Sequence, residues 1–246
     1  MALNQYRRTR KAKPRPRPRT LWITRALPGA DATAARVREL GIAPIVAPLL
    51  EVRAIAAADL DLTGVSALVF TSANAVAAFA ARSPERALRV FAVGDATAAA
   101  ARAQRFSSVL SAQGDVGALA SALAARRREL SGVILYPAAA EPAQDLAGAL
   151  AAVGLQVRQT AVYETVAVAP PGTFAERLHE IDGVLLHSAK AAQGLARFLK
   201  ANPAPQLIAY CLSRQIARAL GRAALAQTLS APQPNETALL SLVAGA

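Results

Sequence analysis

Short continuous runs of apolar residues, separated by segments of helical composition, constrain the fold more than any other feature of the sequence. Residues 21–24, 67–70 and 90–93 form such runs. Each run is followed by polar or glycine residues and then by an alanine-rich stretch. A strand that is buried on both faces has this apolar character. Strands that alternate with helices predict parallel sheets with helices on both faces. We therefore expect an α/β fold, with further strands near residue 109 and at 133–136, 183–186, 207–211 and 228–230.

The segments between these strands predict eight helices, because alanine is the best helix former and dominates them. Gly41 and Gly154 follow two of these helices and are predicted to cap them. Pro44 and Pro48 restrict residues 42–50 to an edge strand or a linker, because proline has no amide to donate to a neighbouring strand. The predicted helices cover residues 28–40, 73–81, 97–105, about 115–128, 142–153, 189–199, 213–220 and 236–243, and residues 155–168 are predicted to be extended.

The composition excludes several classes of protein. No apolar run approaches about 18 residues, so we expect no transmembrane helix, and no apolar segment of signal-peptide type follows the basic N-terminus. The single cysteine, Cys211, excludes an internal disulfide and fits a reducing compartment, which predicts a cytoplasmic protein. One cysteine and two histidines, His179 and His187, cannot assemble a zinc or iron–sulfur site. We expect no metal.

The first 19 residues are basic and are expected to be disordered. They contain eight Lys or Arg residues and no acidic residue, which leaves a net charge of +4 for residues 20–246 out of +12 for the chain. Alternating proline and arginine at residues 14–19 favours an extended chain. The tail is either a tether to nucleic acid or a membrane surface, or a dispensable extension. No aromatic residue lies among its arginines to stack on bases, so nucleic-acid binding is not expected.

The two halves of the sequence are similar at an offset of 112–119 residues. Phe70-Thr71-Ser72 is similar to Leu186-His187-Ser188, and residues 21–25 are similar to residues 133–137. Gly41 and Gly154 are also related by an offset in this range, 113 residues. An ordered set of such matches predicts two related lobes that arose by duplication.

Small polar residues follow most of the predicted strands, where the next helix begins. In parallel sheets, ligands bind beyond the carboxyl ends of the strands, and the free amides of helix N-termini favour anions. The alternative for each Ser or Thr is that it only caps a helix. His187 is either a polar residue at a strand end or a base, and Cys211 is expected to be a small buried hydrophobic residue. The candidate residues are Thr24, Arg25, Thr71, Ser72, Gly94, Thr97, His187, Ser188 and Ser213.

Several motifs, taken in order, resemble the uroporphyrinogen-III synthase family. They are Thr24-Arg25, F-T-S-A-N-A-V at residues 70–76, V-G-x-x-T-A at residues 93–98, V-Y-E-T at residues 162–165, and Ser188. The resemblance implies two flavodoxin-like lobes with parallel sheets, joined by a two-stranded connection, with a cleft between them. It places residues 20–46 and 168–246 in one lobe and residues 52–163 in the other.

The resemblance implies an enzyme that closes the linear tetrapyrrole hydroxymethylbilane to uroporphyrinogen III, with loss of water and inversion of ring D. No cofactor is implied. Tyr163 matches the family's tyrosine, and we hypothesise that its phenol hydrogen-bonds the departing hydroxyl group; its alternative role is packing. The substrate would be a polycarboxylate, handed over transiently by porphobilinogen deaminase to a monomeric enzyme. The expected substrate-binding residues are Arg25, Thr71, Ser72, Asn74, Gly94, Thr97, Ser188 and Ser213.

The chain departs from the family's motifs in its second half, and other functions remain open at this point. Ser213 and Ile216 replace a glycine and a threonine, and residues 138–140 lack the usual arginine and glycine. One alternative is a non-enzymatic binding or sensor protein for an anionic small molecule, which would not need Tyr163. Another is an RNA-associated protein that acts through the arginine tail.

Overall fold

A computed structural model describes residues 17–57 and 59–245, and these divide into two compact units. Unit 1 contains the described parts of residues 1–51 and 167–246, and unit 2 contains those of residues 52–166. The prediction of disorder falls largely on residues 1–16, which lie outside the described residues. Pro18 is buried, and the amides of Arg19 and Thr20 both donate to the Oδ2 atom of Asp182, at 2.7 and 3.0 Å.

Unit 1 has a five-stranded sheet with the order β11-β10-β9-β1-β2 and only parallel pairs. Counted along the chain, its strand order is 2-1-3-4-5, which is the flavodoxin-like order. Its strands are β1 (Thr20–Ile23), β2 (Ala43–Val46), β9 (Gly183–Leu186), β10 (Ile208–Cys211) and β11 (Gln227–Ser230). Its helices are α1 (Gly29–Glu39), α6 (Ala189–Ala201), α7 (Arg214–Ala219) and α8 (Glu236–Ala244), with a 3₁₀ helix at Gly172–Glu180.

Unit 2 is built on a six-stranded sheet with the order β3-β8-β7-β4-β5-β6. The pairs from β8 to β6 are parallel. Its strands are β3 (Leu50–Ala54), β4 (Val65–Phe70), β5 (Arg89–Ala92), β6 (Val109–Ser111), β7 (Val133–Ala139) and β8 (Val157–Ala167). Its helices are α2 (Ala73–Ala80), α3 (Asp95–Ala103), α4 (Val116–Ala124) and α5 (Leu146–Ala152), with a 3₁₀ helix at Arg127–Glu129.

The two sheets share one spatial arrangement with a different order along the chain. Strands β2-β1-β9-β10-β11 of unit 1 correspond in position to β8-β7-β4-β5-β6 of unit 2. The pair β1–β2, which comes first along the chain in unit 1, therefore corresponds to β7–β8, which comes last along the chain in unit 2. This arrangement matches the similarity between the halves that the sequence predicts. The chain enters unit 2 through β3 and leaves it through β8, which are neighbours at the edge of the sheet. The predicted α/β fold with parallel sheets and a two-stranded connection is confirmed.

Each sheet has one place where neighbouring strands lead outward in opposite directions, and we call it the switch point. It lies between β1 and β9 in unit 1 and between β7 and β4 in unit 2. The helices that follow these two strands diverge, so a crevice forms at the carboxyl ends of the strands. The topology therefore places one candidate ligand crevice in each unit.

Apolar side chains from both faces of each sheet form the cores, as the continuous apolar runs predict. In unit 1 the indole of Trp22 is fully buried against Phe174, at 4.5 Å between ring centroids, and its Nε1 donates to the Ala47 carbonyl at 2.6 Å. Cys211 is completely buried, and burial raises the pKa of its thiol to about 12, so the predicted hydrophobic role is confirmed.

Two positive-φ glycines and one edge strand behave as predicted. Gly41 and Gly154 follow α1 and α5 with φ of +73° and +77°, a region that glycine enters without strain. Pro44 lies in β2, which is an edge strand. The helix predicted at 142–153 is shorter, because Asp145 caps it and accepts from the Gly148 amide at 2.8 Å. The 3₁₀ helix at Gly172–Glu180 was not predicted.

Within residues 17–57 and 59–245, no helix combines the length and the apolar character needed to cross a membrane.

Candidate functional site

A pocket of about 440 Å³ opens at the switch point of unit 2. Its residues come from the carboxyl ends of β4, β7 and β8 and from the segments that lead into α4 and α5. The pairing of β7 with β4 ends at Leu135, whereas its pairing with β8 continues to Ala139. Strand β7 therefore separates from β4, and the pocket lies where they part. It is lined by Thr71, Ser72, Val93, Asp115, Val116, Tyr136, Ala139, Glu141, Pro142, Ala143, Gln144, Tyr163 and Thr165.

Tyr163, the predicted catalytic residue, lies on β8 and lines this pocket. Only 9% of its surface is exposed, and its phenol oxygen lies 2.9 Å from the hydroxyl oxygen of Ser72. Ser72 also caps α2, because its oxygen accepts a hydrogen bond from the Ala75 amide at 3.1 Å. The cap uses one acceptor position of Ser72 and leaves its hydrogen available for Tyr163. The structure therefore joins two of the predicted residues in one hydrogen-bonded pair.

A second pair of hydroxyl groups lies in the same pocket. The phenol oxygen of Tyr136, near the middle of β7, is 3.2 Å from the hydroxyl oxygen of Thr71. Tyr136 is 2% exposed, and burial raises the pKa of its phenol, partly offset by the hydrogen bond to Thr71. This phenol therefore stays protonated. Tyr136 is not among the residues that the sequence predicts for the site, because its partner is 65 residues away along the chain.

The pocket has an acidic rather than a basic character. Among the described residues that line it, none is Lys, Arg or His, whereas Asp115 and Glu141 are acidic. Both carboxylates belong to exposed residues. Asp115 also caps α4, because its Oδ1 accepts from the Ala118 amide at 2.9 Å. The pocket is therefore suited to a neutral or cationic group that offers hydrogen bonds, rather than to a carboxylate.

The other predicted residues of unit 2 do not line this pocket. Gly94 is the N-cap of α3 and has an extended backbone, with φ of −156°. Thr97 lies on α3 and is only 6% exposed, and Asn74 lies half-buried on α2. Gly94 and Asn74 lie at the beginning of a helix, where free amides remain available for an anion.

In unit 1, the predicted serines cap helices. Ser188 accepts from the Ala191 amide at 3.1 Å and begins α6, and Ser213 accepts from the Ile216 amide at 3.3 Å and begins α7. The capping alternative therefore describes what both side chains do in this structure. Each hydroxyl keeps one hydrogen that the cap does not use.

The switch point of unit 1 holds a cluster of charged and polar side chains around Glu236, at the start of α8. Arg36 donates to the Oε2 atom of Glu236 at 3.0 Å, and Thr33 donates to its Oε1 atom. Arg25 lies 3.8 Å from Oε1 and also donates to the Thr33 hydroxyl at 3.2 Å. Arg25, predicted to bind substrate, is thus already engaged by groups of its own unit.

His187 completes this cluster. Its side chain is 11% exposed, and Nε2 lies 3.7 Å from Oε1 of Glu236, beyond hydrogen-bond distance. Within the described residues, neither ring nitrogen has a hydrogen-bond partner. His187, followed by Thr33 and Arg25, lowers the pKa of Glu236 to about 2, although burial acts in the opposite direction. Sequence reasoning missed Thr33 and Glu236, and only the Asn235-Glu236 pair, typical of a helix start, could have drawn attention to them.

Across the described residues, no three His, Cys, Asp or Glu side chains come close enough together to hold a metal ion. The chemistry that the arrangement can offer is hydrogen bonding by hydroxyls and amides, together with electrostatic stabilisation of a positive charge beside Asp115.

The fold and the pocket define a two-unit α/β protein of flavodoxin-like topology, with hydroxyl groups at the switch point of unit 2. The family model described as uroporphyrinogen-III synthase HemD matches residues 31–241, and the chain belongs to this family. The resemblance seen in the sequence is thereby confirmed.

Two solved structures that match the chain are named as members of this family. The crystal structure of uroporphyrinogen-III synthetase from Helicobacter pylori matches with a TM-score of 0.61 and 19% identity, over 91% of this chain and 96% of that chain. A mutant uroporphyrinogen III synthase from the extremely thermophilic bacterium Thermus thermophilus has a TM-score of 0.47 and 17% identity, over 92% and 98% of the two chains. The first of these supports the fold. No curated protein matches the chain.

Proposed function

We propose that this protein closes hydroxymethylbilane to uroporphyrinogen III, with loss of one water molecule and inversion of ring D. The observation that carries the proposal, beyond membership of the family, is the pair Tyr163–Ser72 in the pocket at the switch point of unit 2. The reaction needs a hydrogen-bond donor for a departing hydroxyl and a rigid frame for two pyrrole rings. A phenol held at 2.9 Å by a helix-capping serine supplies the donor.

Tyr163 assists the first step in this proposal. The hydroxymethyl group on ring A takes up one proton from the solvent, its carbon–oxygen bond breaks, and the oxygen leaves as water. The pyrrole nitrogen lone pair stabilises the azafulvene cation that remains, and the proton is returned to the solvent in the last step. Tyr163 donates a hydrogen bond to the departing oxygen. Its own oxygen can accept the hydrogen of Ser72, since that serine uses only an acceptor position for its cap. The cation develops beside Asp115, which stabilises positive charge.

The later steps depend on positioning. Ring D attacks the cationic ring A methylene through its substituted α carbon, which gives a spiro intermediate. The bond from that carbon to the bridge with ring C then breaks, the bridge carbon bonds to the free α carbon of ring D, and this carbon loses its proton, so that ring D is inverted. Closure without a protein gives the isomer in which ring D is not inverted. The protein must therefore hold both rings in the geometry that leads to the spiro intermediate.

Helix N-termini are proposed to hold the substrate's acetate and propionate groups. Ser188, Ser213, Gly94 and Asn74 lie at such ends, where free amides and a remaining hydroxyl hydrogen favour a carboxylate. Arg25 adds positive charge, shared with Glu236. Thr71, Ser72 and Thr97 were predicted for the same role, but Thr71 and Ser72 lie in the acidic pocket and are better suited to orienting the two tyrosines.

The cellular setting is proposed on chemical grounds. One buried cysteine fits the cytoplasm. The unstable linear substrate favours a transient handover from porphobilinogen deaminase to a monomeric synthase. The proposal includes no nucleic-acid partner, because no aromatic residue lies among the tail arginines to stack on bases.

A coupled assay tests the function. Porphobilinogen and a porphobilinogen deaminase generate the substrate, the purified chain is added, and the porphyrin isomers are separated after oxidation. The proposal predicts mostly isomer III. If well-folded protein leaves only isomer I, the enzyme assignment is wrong and a binding or sensor protein becomes the better explanation.

A further inference from the structure

Two tyrosines, rather than one, present hydroxyl groups to the pocket of unit 2. Tyr163 is paired with Ser72 and Tyr136 with Thr71, and all four residues line the same cavity. A hydroxyl group has one hydrogen and two acceptor positions. When one hydroxyl of a pair donates to the other, one hydrogen and several acceptor positions remain for a ligand. Each pair can therefore hold a tyrosine in place and still bind a further group.

The position of Tyr136 follows from the way the strands part. Pairing between β7 and β4 ends at Leu135, one residue before Tyr136. The next residue, Pro137, has no amide hydrogen to donate, and β7 continues beside β8 alone. Tyr136 thus stands at the point where the crevice opens, and Thr71, at the end of β4, bridges the gap through its hydroxyl.

The charge of the pocket limits what Tyr136 can contact. Asp115 lines the cavity and no basic side chain is among its described lining residues, so a carboxylate group of a ligand would be repelled. Pyrrole rings carry N–H donors and become cationic in the azafulvene. A protonated phenol can donate to Thr71 and at the same time accept from such an N–H.

We propose that the phenol oxygen of Tyr136, held by Thr71, accepts a hydrogen bond from a pyrrole N–H of the substrate and so orients the reacting ring beside Tyr163. The proposal rests on the proposed function. It assigns Tyr136 to the control of ring geometry, whereas Tyr163 serves the departing hydroxyl. Burial, which raises the pKa of Tyr136, keeps the phenol protonated for this role.

The test compares Tyr136→Phe with wild type and with Tyr210→Phe, a matched control because Tyr210 is a buried strand tyrosine of unit 1 that does not line the pocket. The coupled isomer assay is run over a series of synthase concentrations. We expect Tyr136→Phe to lower the limiting ratio of isomer III to isomer I about 10-fold, the factor that one hydrogen bond can supply. This residual isomer I should persist when more enzyme is added.

A merely structural role would give a different pattern. If Tyr136→Phe only lost folded enzyme or rate, additional enzyme would restore the wild-type ratio, and the proposal would be wrong. Wild-type behaviour at every concentration would also overturn it. If Tyr136→Phe does not fold, as judged by its thermal unfolding, Thr71→Val provides a second variant that releases Tyr136, and the same limiting ratio decides. Failure of wild type itself to form isomer III would instead contradict the proposed function.

Discussion

The switch points of the two units differ although their sheets share one strand arrangement. In unit 2 the crevice is open and lined by two tyrosines, and its carboxylates are exposed. In unit 1 the Thr24 hydroxyl donates across the switch point to the Leu185 carbonyl at 2.7 Å, and Glu236 is surrounded by Thr33, Arg25 and Arg36. The shared strand arrangement thus gives each unit a crevice, and the side chains in it determine whether it stays available for a ligand.

The corresponding positions show how the difference arises. Thr71 of unit 2 corresponds to His187 of unit 1, and Tyr136 corresponds to Thr24, by the offsets of the two halves. The short side chain of Thr24 donates its hydrogen bond to a carbonyl of the neighbouring strand β9. The longer side chain of Tyr136 reaches a side-chain partner, Thr71, on the other side of the switch point. The helix that follows β11 in unit 1 begins at Glu236, which its neighbours enclose, whereas the helix that follows β6 in unit 2 begins at Val116, and the acidic residue before it, Asp115, is exposed. We therefore assign the chemistry to unit 2 and a stabilising role to the cluster in unit 1.

The largest expected effect concerns Tyr163. Tyr163→Phe removes only the hydroxyl group and should lower the rate of isomer III formation about 100-fold, the lower range for loss of an acid–base group. The thermal midpoint should change little, because the ring remains. Steady-state rates and thermal unfolding check this. Retention of wild-type activity would mean that another group contacts the departing hydroxyl. If the protein only binds its ligand, the wild type shows no synthase rate and the substitution leaves the ligand affinity unchanged.

The cluster in unit 1 should govern stability rather than catalysis. The pKa of Glu236 is about 2 in the folded protein, below its usual 4.5. Its contribution is therefore fully present above pH 4.5 and is lost as the pH falls from 4.5 towards 2. We expect Glu236→Gln to lower the free energy of unfolding by about 2 kcal/mol at pH 7 and to flatten this acid-dependent loss.

Urea unfolding at pH 7 and at pH 3 measures that prediction. Glu180→Gln is the control, because Glu180 forms an exposed ion pair with Arg177 and should contribute less than about 1 kcal/mol. An equal effect of both substitutions would show that the cluster has no special role.

Helix N-termini can be tested for carboxylate binding without loss of the cap. Asp and Asn cap helices about equally well, so Ser188→Asp and Ser188→Asn should have similar stability. If a substrate carboxylate approaches this end of α6, the added negative charge of Asp should raise KM about 10-fold relative to Asn, and added salt should reduce the difference. Equal KM values would remove Ser188 from the binding surface.

A smaller effect is expected at the acidic edge of the pocket. Asp115→Asn keeps the cap of α4 but removes a negative charge beside the developing cation, so kcat should fall about 3-fold. Asp145→Asn is the matched control, because Asp145 caps α5 in the same way and does not line the pocket. A rise in activity for Asp115→Asn would mean that the pocket receives an anion.

Much of the fold was predictable from local patterns. Buried parallel strands are apolar throughout, so the strands at 183–186 and 67–70 were recognisable. Gly41 and Gly154 marked helix ends, because glycine is the residue that adopts the positive φ found there without strain. The extent of β7 was not predictable, because Pro137 argues against a central strand. Pro137 fits in β7 because the pairing of β7 with β4 ends before this residue, at Leu135.

The candidate site was predictable where one motif carried its residues and unpredictable where distant segments meet. Tyr163 and Ser72 each belong to a motif of the family, yet their contact spans 91 residues. The contact between Thr33 and Glu236 spans 203 residues and has no local signal. Polarity at a strand end indicates the edge of the sheet where a ligand binds, but it does not indicate which hydroxyl turns toward which partner.

The most direct test of the central claim compares one substitution at each switch point under the same conditions. The initial rate of isomer III formation is measured for Tyr163→Phe in unit 2 and Glu236→Gln in unit 1, at pH 7 and with both proteins shown to be folded. The account predicts a loss of about 100-fold for Tyr163→Phe and a rate within about 3-fold of wild type for Glu236→Gln. The reverse pattern, with the larger loss in unit 1, would contradict it.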